Sequence, residues 1–360
     1  MNEGSIEISS KIRGREKENK ISSKEQKKME EMKQMAYKAT VKLMLGALEK
    51  NLLPDIVIRR LTRLLLANRL QSSYKYSTQL QLSDLLHFVH ALAEMPIAIQ
   101  TDTAKSQHYE LPTSFFKLVL GKHLKYSCCY FSDKETNLDD SEKAMLDLYC
   151  ERSKIEDGHT VLDVGCGWGS LSLFIAQKYS NCKVTGICNS VTQKAHIKER
   201  CRDLQLKNVD IIHMKNYRDL LKKLSNWMKP DGLLFVHHFC HKAFAYHFED
   251  VDDDDWITRY FFTGGTMPAA NLLLYFQDDV SVINHWLVNG KHYAQTSEEW
   301  LKRMDRNLTY IRPIMEVTYG KDSALKWIVY WRTFFIAVAE LFGYNNGEEW
   351  MVAHFLFKKK

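Results

Sequence analysis

The sequence contains no run of about 18 apolar residues, so nothing in it reads as a helix able to span a bilayer. Its most aromatic stretch, Trp327 to Phe342, is interrupted by Arg332 and Glu340 and reads as a buried helix. The first thirty residues hold no apolar h-region, which argues against a secretory signal there. The eight cysteines lack the spacing of a disulfide framework: Cys128 and Cys129 are adjacent and the others are scattered. A reducing, cytoplasmic setting is expected from that usage. Internal repeats are missing, and so is any strong charge of one sign. The formal net charge is +6, but the excess sits mostly in residues 11–34, so no nucleic-acid partner is expected.

What is there is ordinary for a globular protein. Hydrophobic residues make up 45% and charged residues 26%, enough for a sizeable α/β core with additions. Residues 1–34 are polar and charged and read as a disordered or frayed tail. From 35 to about 100 the apolar residues recur at helical spacing: Leu43, Leu45, Leu48, then Ile56, Ile58, Leu61, Leu64 and Leu65. Pro54 separates two helices, and Arg59, Arg60 and Arg63 read as a solvated face. A third helix is predicted near 81–95.

From about residue 158 strands and helices alternate. Strands are predicted at Thr160–Val164, Cys182–Ile187, Val209–Ile212 and Leu233–Phe239, with helices at Ser170–Tyr179, Val191–Leu204 and Met214–Met228 between them. That alternation predicts a parallel sheet covered on both faces. Residues 240–277 are aromatic and irregular, with a solvated acidic run at Asp252–Asp255. Then come a strand near 279–288, helices near 296–316 and 321–343, and a last strand at Trp350–Phe357. The expected division is a tail (1–34), a helical N-terminal cap region (35–150) and a core (151–360) with a substrate-cap insertion near 240–277.

The strongest local signal is Asp163-Val164-Gly165-Cys166-Gly167-Trp168-Gly169, between a strand and a helix. Glycines there let the backbone turn sharply and approach a ligand, and the helix N-terminus offers free N–H groups to a carboxylate. A dinucleotide site is the obvious competitor. The triplet is Gly-x-Gly-x-Gly rather than Gly-x-Gly-x-x-Gly, and Asp163 precedes it directly, as in methyltransferases that use S-adenosyl-L-methionine. The second strand lacks the acid that usually holds a ribose. It runs into Cys188-Asn189-Ser190-Val191-Thr192-Gln193, where Asn189 and Gln193 can make those bonds with amides, and where Asn189 and Ser190 can equally be a helix cap.

Together these motifs resemble the cyclopropane-fatty-acid-synthase superfamily of S-adenosylmethionine-dependent methyltransferases. Gly186 to Gln193 match its Gly-x-x-x-Ser-x-x-Gln. His108-Tyr109-Glu110-Leu111-Pro112 and Tyr126-Ser127-Cys128 match its upstream segments. Tyr149-Cys150-Glu151-Arg152, His213-Met214-Lys215-Asn216-Tyr217, Asn284-His285-Trp286, Tyr330-Trp331-Arg332 and Asn346-Gly347-Glu348-Glu349-Trp350 are similar to plant coclaurine-type and tetrahydroprotoberberine-type N-methyltransferases. The resemblance implies a Rossmann-like class I methyltransferase sheet with a helical N-terminal extension and an inserted aromatic, helical cap. It implies a cofactor site at Ser127, Asp163, Gly165, Gly167, Asn189 and Gln193. It also implies Glu110 and His213 beside a small-molecule amine, such as a benzylisoquinoline alkaloid. Walls for that amine are expected from Phe244, Tyr246, Trp256, Tyr260, Phe261, Phe262, Trp286, Trp331, Phe334 and Phe335. A homodimer is the expected assembly, with no stable membrane insertion and no metal.

Two departures stand out. The family carries roughly 25–30 residues between its third strand and the histidine, including a central fourth strand and a glutamate directly before that histidine. Here Asn208–Ile212 joins His213 with nothing between, and Ile212 takes the glutamate's place. Short connections of about 2–6 residues are usual between a strand and a helix, and even these are missing. The absence should expose or rearrange apolar surface. Alternatively the sheet is one strand shorter, with Val209–Ile212 in the central slot. The second departure is Arg332–Ala339, where cyclopropane synthases carry a cysteine and this chain has none. That disfavours a lipid methylene transfer. A non-catalytic isoform bound to a full-length partner is the other alternative. The segment His237-His238-Phe239-Cys240-His241 invites a metal reading, but alternate strand residues face opposite ways, and a polar pocket wall is preferred. Cys128 reads as a small buried hydrophobe.

Overall fold

The computed structural model describes residues 35–95, 111–133, 135–213 and 226–360, together with Met29, Met32 and Leu224; for His213 it describes the backbone alone. The expected tail 1–34 apart from Met29 and Met32, Glu110 and most of the expected helix Met214–Met228 lie outside the described residues.

Helix α1 covers residues 35–49. Pro54, at φ −62° and ψ 147°, stands just ahead of α2 (Asp55–Ser73), where its locked φ and missing N–H are harmless. Ser77 caps α3 (Thr78–Glu94) by accepting from the Leu80 amide. Helices α4 (Thr113–Val119) and α5 (Leu138–Arg152) lead to the sheet. Asn137 accepts from the Asp140 amide, and Asp139 and Asp140 fill the first turn of α5, where the helix dipole favours carboxylates.

Three strands are parallel: β1 (Thr160–Val164), β2 (Lys183–Cys188) and β3 (Val209–His213), in the order β1-β2-β3. Helices α6 (Ser170–Lys178) and α7 (Val191–Asp203) connect them. The expected continuation into one parallel sheet is corrected here. Strand β4 (Leu233–His241) pairs antiparallel with β8 (Trp350–Lys359), and β8 pairs antiparallel with β7 (Val280–Val288). Among the described residues no strand joins β1 to β4. The cap segment adds a short ladder of β5 (Tyr246–His247) and β6 (Thr266–Met267) and a π-helical turn at Thr258–Phe262.

Burial registers the division. Parallel strands are normally covered on both faces and paired on both edges. Yet Leu162 in β1 is 38% exposed, whereas Trp350 to Phe357 in β8 are all buried. The shorter-sheet alternative fails on register. Ile212 pairs with Ile187, so β3 lies beyond β2 and away from the central slot.

The predicted helix 296–316 is two helices, α8 (Lys291–Arg306) and α9 (Leu308–Tyr319), because Asn307 at φ −103° and ψ 13° breaks the run. In α8, Ser297, Trp300, Leu301 and Met304 are buried at i, i+3, i+4 and i+7, one face turned inward. Helix α10 (Lys321–Gly343) is buried along most of its length. Around it Phe115, Phe116, Trp168, Phe261, Trp331 and Phe334 share the main core. The arginines of α2 are not a simple solvated face. Arg59 donates to Glu298 at 2.5 Å and to Glu340 at 2.8 Å, and Arg63 also reaches Glu340, which is 5% exposed. The helical period placed these arginines on one side; only packing shows that the side meets α8 and α10.

Candidate active site

Strand β1 carries Asp163 one residue before its end and turns through Gly165, Gly167 and Gly169, all in the left-handed region at φ 79°, 54° and 82°. A Cβ at Gly165 or Gly167 would meet nothing within 4 Å, so the space over the turn is open. At Gly169 a Cβ would sit 2.7 Å from Cγ1 of Ile197, so that glycine seats α6 against α7. Gly169 offers no side chain to cap α6; the Ser172 amide goes to Asp163, which leaves the Ser170 and Leu171 amides for a ligand. Ser172 donates to Asp163 Oδ2 at 2.7 Å. Burial raises the Asp163 carboxyl above its usual range, and the Ser172 bonds oppose that shift.

The turn is tied to the next strand. The Gly165 and Cys166 amides both donate to the Ile187 carbonyl, at 2.9 and 3.0 Å. That brings the end of β2, with Asn189, beside it. Ser190 is the helix cap of α7, accepting from the Gln193 amide, so the bland reading holds for Ser190. Gln193 is 1% exposed, and its side-chain nitrogen has no hydrogen-bond partner. The Trp168 indole nitrogen and His196 Nδ1 are buried and unpaired as well. Buried polar atoms are normally paired, so these orphans make the start of α7 a candidate place for a polar ligand.

Ser127 enters from the loop after α4. Its hydroxyl accepts from the Lys125 ammonium at 2.6 Å and bonds to the Tyr149 phenol, which in turn feels the charge of Asp163. Ser127 and Asp163, far apart in sequence, thus share one polar cluster. Tyr149 also bonds His237 Nδ1 at 3.0 Å, and His237 bonds His354 at 2.8 Å. Neither Lys125 nor His354 stands out in the sequence: Lys125 is one of several polar residues in the stretch 121–129, and His354 is a lone polar residue in an apolar strand.

His213 closes β3 opposite Cys188, with β2 between it and β1. Strands stand about 4.8 Å apart, so its backbone is about 10 Å from β1. Its side chain, like Glu110, lies outside the described residues. The strand histidines diverge. His238 stacks on Phe355 and His241 on Phe244, while His237 faces Tyr149. Burial pushes the Cys128 thiol up to about 12, which leaves it a small hydrophobe at neutral pH. Of the expected aromatic walls, Trp256, Phe261, Trp331, Phe334 and Phe335 share the main core, with Tyr246, Tyr260 and Phe262 packed against it. Phe244 lies on His241, and Trp286 lies apart on β7 under the Arg152 guanidinium.

The geometry has counterparts among known proteins. The family model "Mycolic acid cyclopropane synthetase" matches residues 98–225 and again 207–344. The (S)-coclaurine N-methyltransferase of Thalictrum flavum subsp. glaucum is 48% identical over 358 residues, covering 92% of this chain and 99% of the relative. Its counterpart from Papaver somniferum is 47% identical, covering 91% of this chain and all of the relative. A coclaurine N-methyltransferase crystallised with N-methylheliamine and SAH superposes with a TM-score of 0.85 at 49% identity, covering 89% of this chain and all of that one. The Thalictrum alignment contains a gap. Of 360 residues, 92% is about 331, so about 27 of its 358 positions have no counterpart here. The two family matches meet over 207–225, where β3 ends.

Proposed function

From a chain that belongs to the mycolic acid cyclopropane synthetase family, and within it to the plant N-methyltransferases of the coclaurine type, we propose the following activity. The protein is an S-adenosylmethionine-dependent N-methyltransferase whose substrate is a small amine of the coclaurine class. The observation that carries the reading is the open, uncapped glycine turn at the end of β1, with the unpaired Gln193 amide beside it. S-adenosylmethionine, when bound, supplies an electrophilic methyl group on a sulfonium.

The chain's own residues hold and align. The free amides at the start of α6 suit a carboxylate, and Asp163 suits an ammonium. Gln193 and Asn189 offer amides for ribose hydroxyls, with Ser127, Gly165 and Gly167 completing the cradle. The amine must arrive neutral, because its lone pair forms the new N–C bond as the C–S bond breaks. Glu110 and His213 are assigned to hold or take its proton. The aromatic core around Phe261, Trp331 and Phe334 keeps water out and favours a cationic product. Alignment of amine and methyl removes much of the entropic barrier. The division into tail, N-terminal cap and core, a cytoplasmic setting and a homodimer belong to the same proposal. Among the described residues no helix is long and apolar enough to cross a membrane.

Methyl-labelled cofactor offered with coclaurine in one reaction and phospholipid vesicles in another tests the reading. Label in the amine is expected. Label in the lipid alone would replace the proposal with acyl-chain chemistry.

A further inference from the structure

The Lys125 side chain is buried, at 1% exposure, in the loop that carries Ser127. Its ammonium donates to Ser127 Oγ and to the Cys128 carbonyl, both at 2.6 Å, and lies 5.0 Å over the Tyr149 ring. All three partners are neutral. Among the described residues no carboxylate stands within ion-pair distance of it. Glu142, on the adjacent helix, has its oxygens on the amides of Gly121, His123 and Lys125 instead. Removing an ammonium from water without an anion is strongly unfavourable, and buried charges are accordingly paired. A missing anion therefore belongs beside Lys125. Its partners Ser127 and Tyr149 lie near the end of β1, where Tyr149 feels the charge of Asp163, and that is where an anion would meet the lysine.

We propose that Lys125 is a cofactor-binding residue whose ammonium pairs with the α-carboxylate of S-adenosylmethionine beside Ser127. The proposal rests on the methyltransferase reading above. It adds a positive charge to a site otherwise composed of amides, hydroxyls and the Asp163 carboxyl, and gives the carboxylate of the methyl donor an ion-pair partner on this chain.

The groups facing Lys125 are Cys128 and Cys129 on its own loop, Glu142 and Tyr149 from α5, His237 from β4 and His354 from β8. Burial raises both thiols and the phenol and lowers both imidazoles, so none of these five changes charge between pH 8 and 10. Glu142 is pushed up to about 7 and is ionised through that range. Lys125 is lowered by burial and is the group left to titrate.

The test is calorimetric binding of S-adenosylmethionine and of its decarboxylated analogue, to the full chain and to Lys125→Met and Lys125→Arg. The unaltered chain is expected to prefer the carboxylated form by at least tenfold. Lys125→Met should lose most of that preference, by weaker binding of S-adenosylmethionine alone, and Lys125→Arg should restore part of it. In the unaltered chain the preference should shrink more steeply with rising pH than in Lys125→Arg, because burial lowers the lysine and an arginine stays charged throughout. The amines of the two ligands differ in pKa, since only one stands beside a carboxylate, and comparing the two chains removes that difference. An undiminished preference in folded Lys125→Met overturns the inference. If that variant does not fold, an equal pH slope in the unaltered chain and in Lys125→Arg overturns it. Absence of heat with either ligand from the folded parent sinks the methyltransferase reading and this inference together.

Discussion

At the scale of one residue the proposed cofactor site turns on Gln193. Its side-chain nitrogen is buried without a partner, a state that costs about 1–3 kcal/mol in an unliganded fold. Replacement by leucine keeps the volume and removes the orphan. Gln193→Leu should therefore match the parent in stability or exceed it by up to about 1 kcal/mol, while cofactor affinity falls about tenfold. Urea unfolding beside calorimetry checks both halves, and parental affinity in the variant would remove Gln193 from the site. Gly169 makes the opposite trade. With φ at 82° and Ile197 2.7 Å from an added Cβ, Gly169→Ala should cost about 2–3 kcal/mol of stability, read in the same unfolding experiment.

Between elements, buried polar contacts decide which helix sits where. Arg59 and Arg63 of α2 converge on Glu340 inside α10. Arg59→Met leaves a buried carboxylate underpaired and should destabilise by roughly 3 kcal/mol, while the double replacement Arg59→Met with Glu340→Met should recover much of it. Thermal unfolding of the two variants separates these outcomes. A second contact joins α5, β4 and β8. Arg152 can only donate, so its bond at 2.6 Å makes His354 Nδ1 an acceptor. The proton of neutral His354 is then on Nε2, which donates to His237 Nδ1 at 2.8 Å. Burial and Arg152 push His354 down to about 3, and burial holds His237 well below its ordinary value. The unfolded chain takes up protons at both imidazoles near pH 6.5 and the folded chain does not. The stability this represents is complete above that pH and is lost as pH falls toward 3. Unfolding temperature should thus begin to drop below about pH 6.5, and His354→Phe should flatten that slope. An identical slope in the variant would remove the pair from the acid response.

Across the whole molecule the governing feature is the division between β1 and β4. The parallel strands and the antiparallel strands are held together by α5 and by the aromatic core rather than by a shared strand. Leu162 and Leu233, each 38% exposed, show what a central strand would have covered. Insertion of the relatives' segment of about 27 residues between Ile212 and His213 should raise cofactor affinity at least tenfold and raise the unfolding temperature. Equal affinity with and without the insertion would show that the segment is dispensable for binding.

The sequence alone determined the local elements and the cofactor turn. The period of apolar residues, the cap at Ser190 and the three positive-φ glycines act over a few residues, and local propensity suffices for them. It also located the missing segment, because Val209–Ile212 runs into His213 without a connection. Tertiary structure decided the rest. Strand alternation says nothing of which edge finds which partner, so only the fold could show β4 leaving the parallel sheet for β8. A lysine in a loop looks solvated until packing withdraws the water around it. The burial of Lys125, the face of Arg59 and the pairing of His213 with Cys188 depend on neighbours distant in sequence, and no local pattern encodes them.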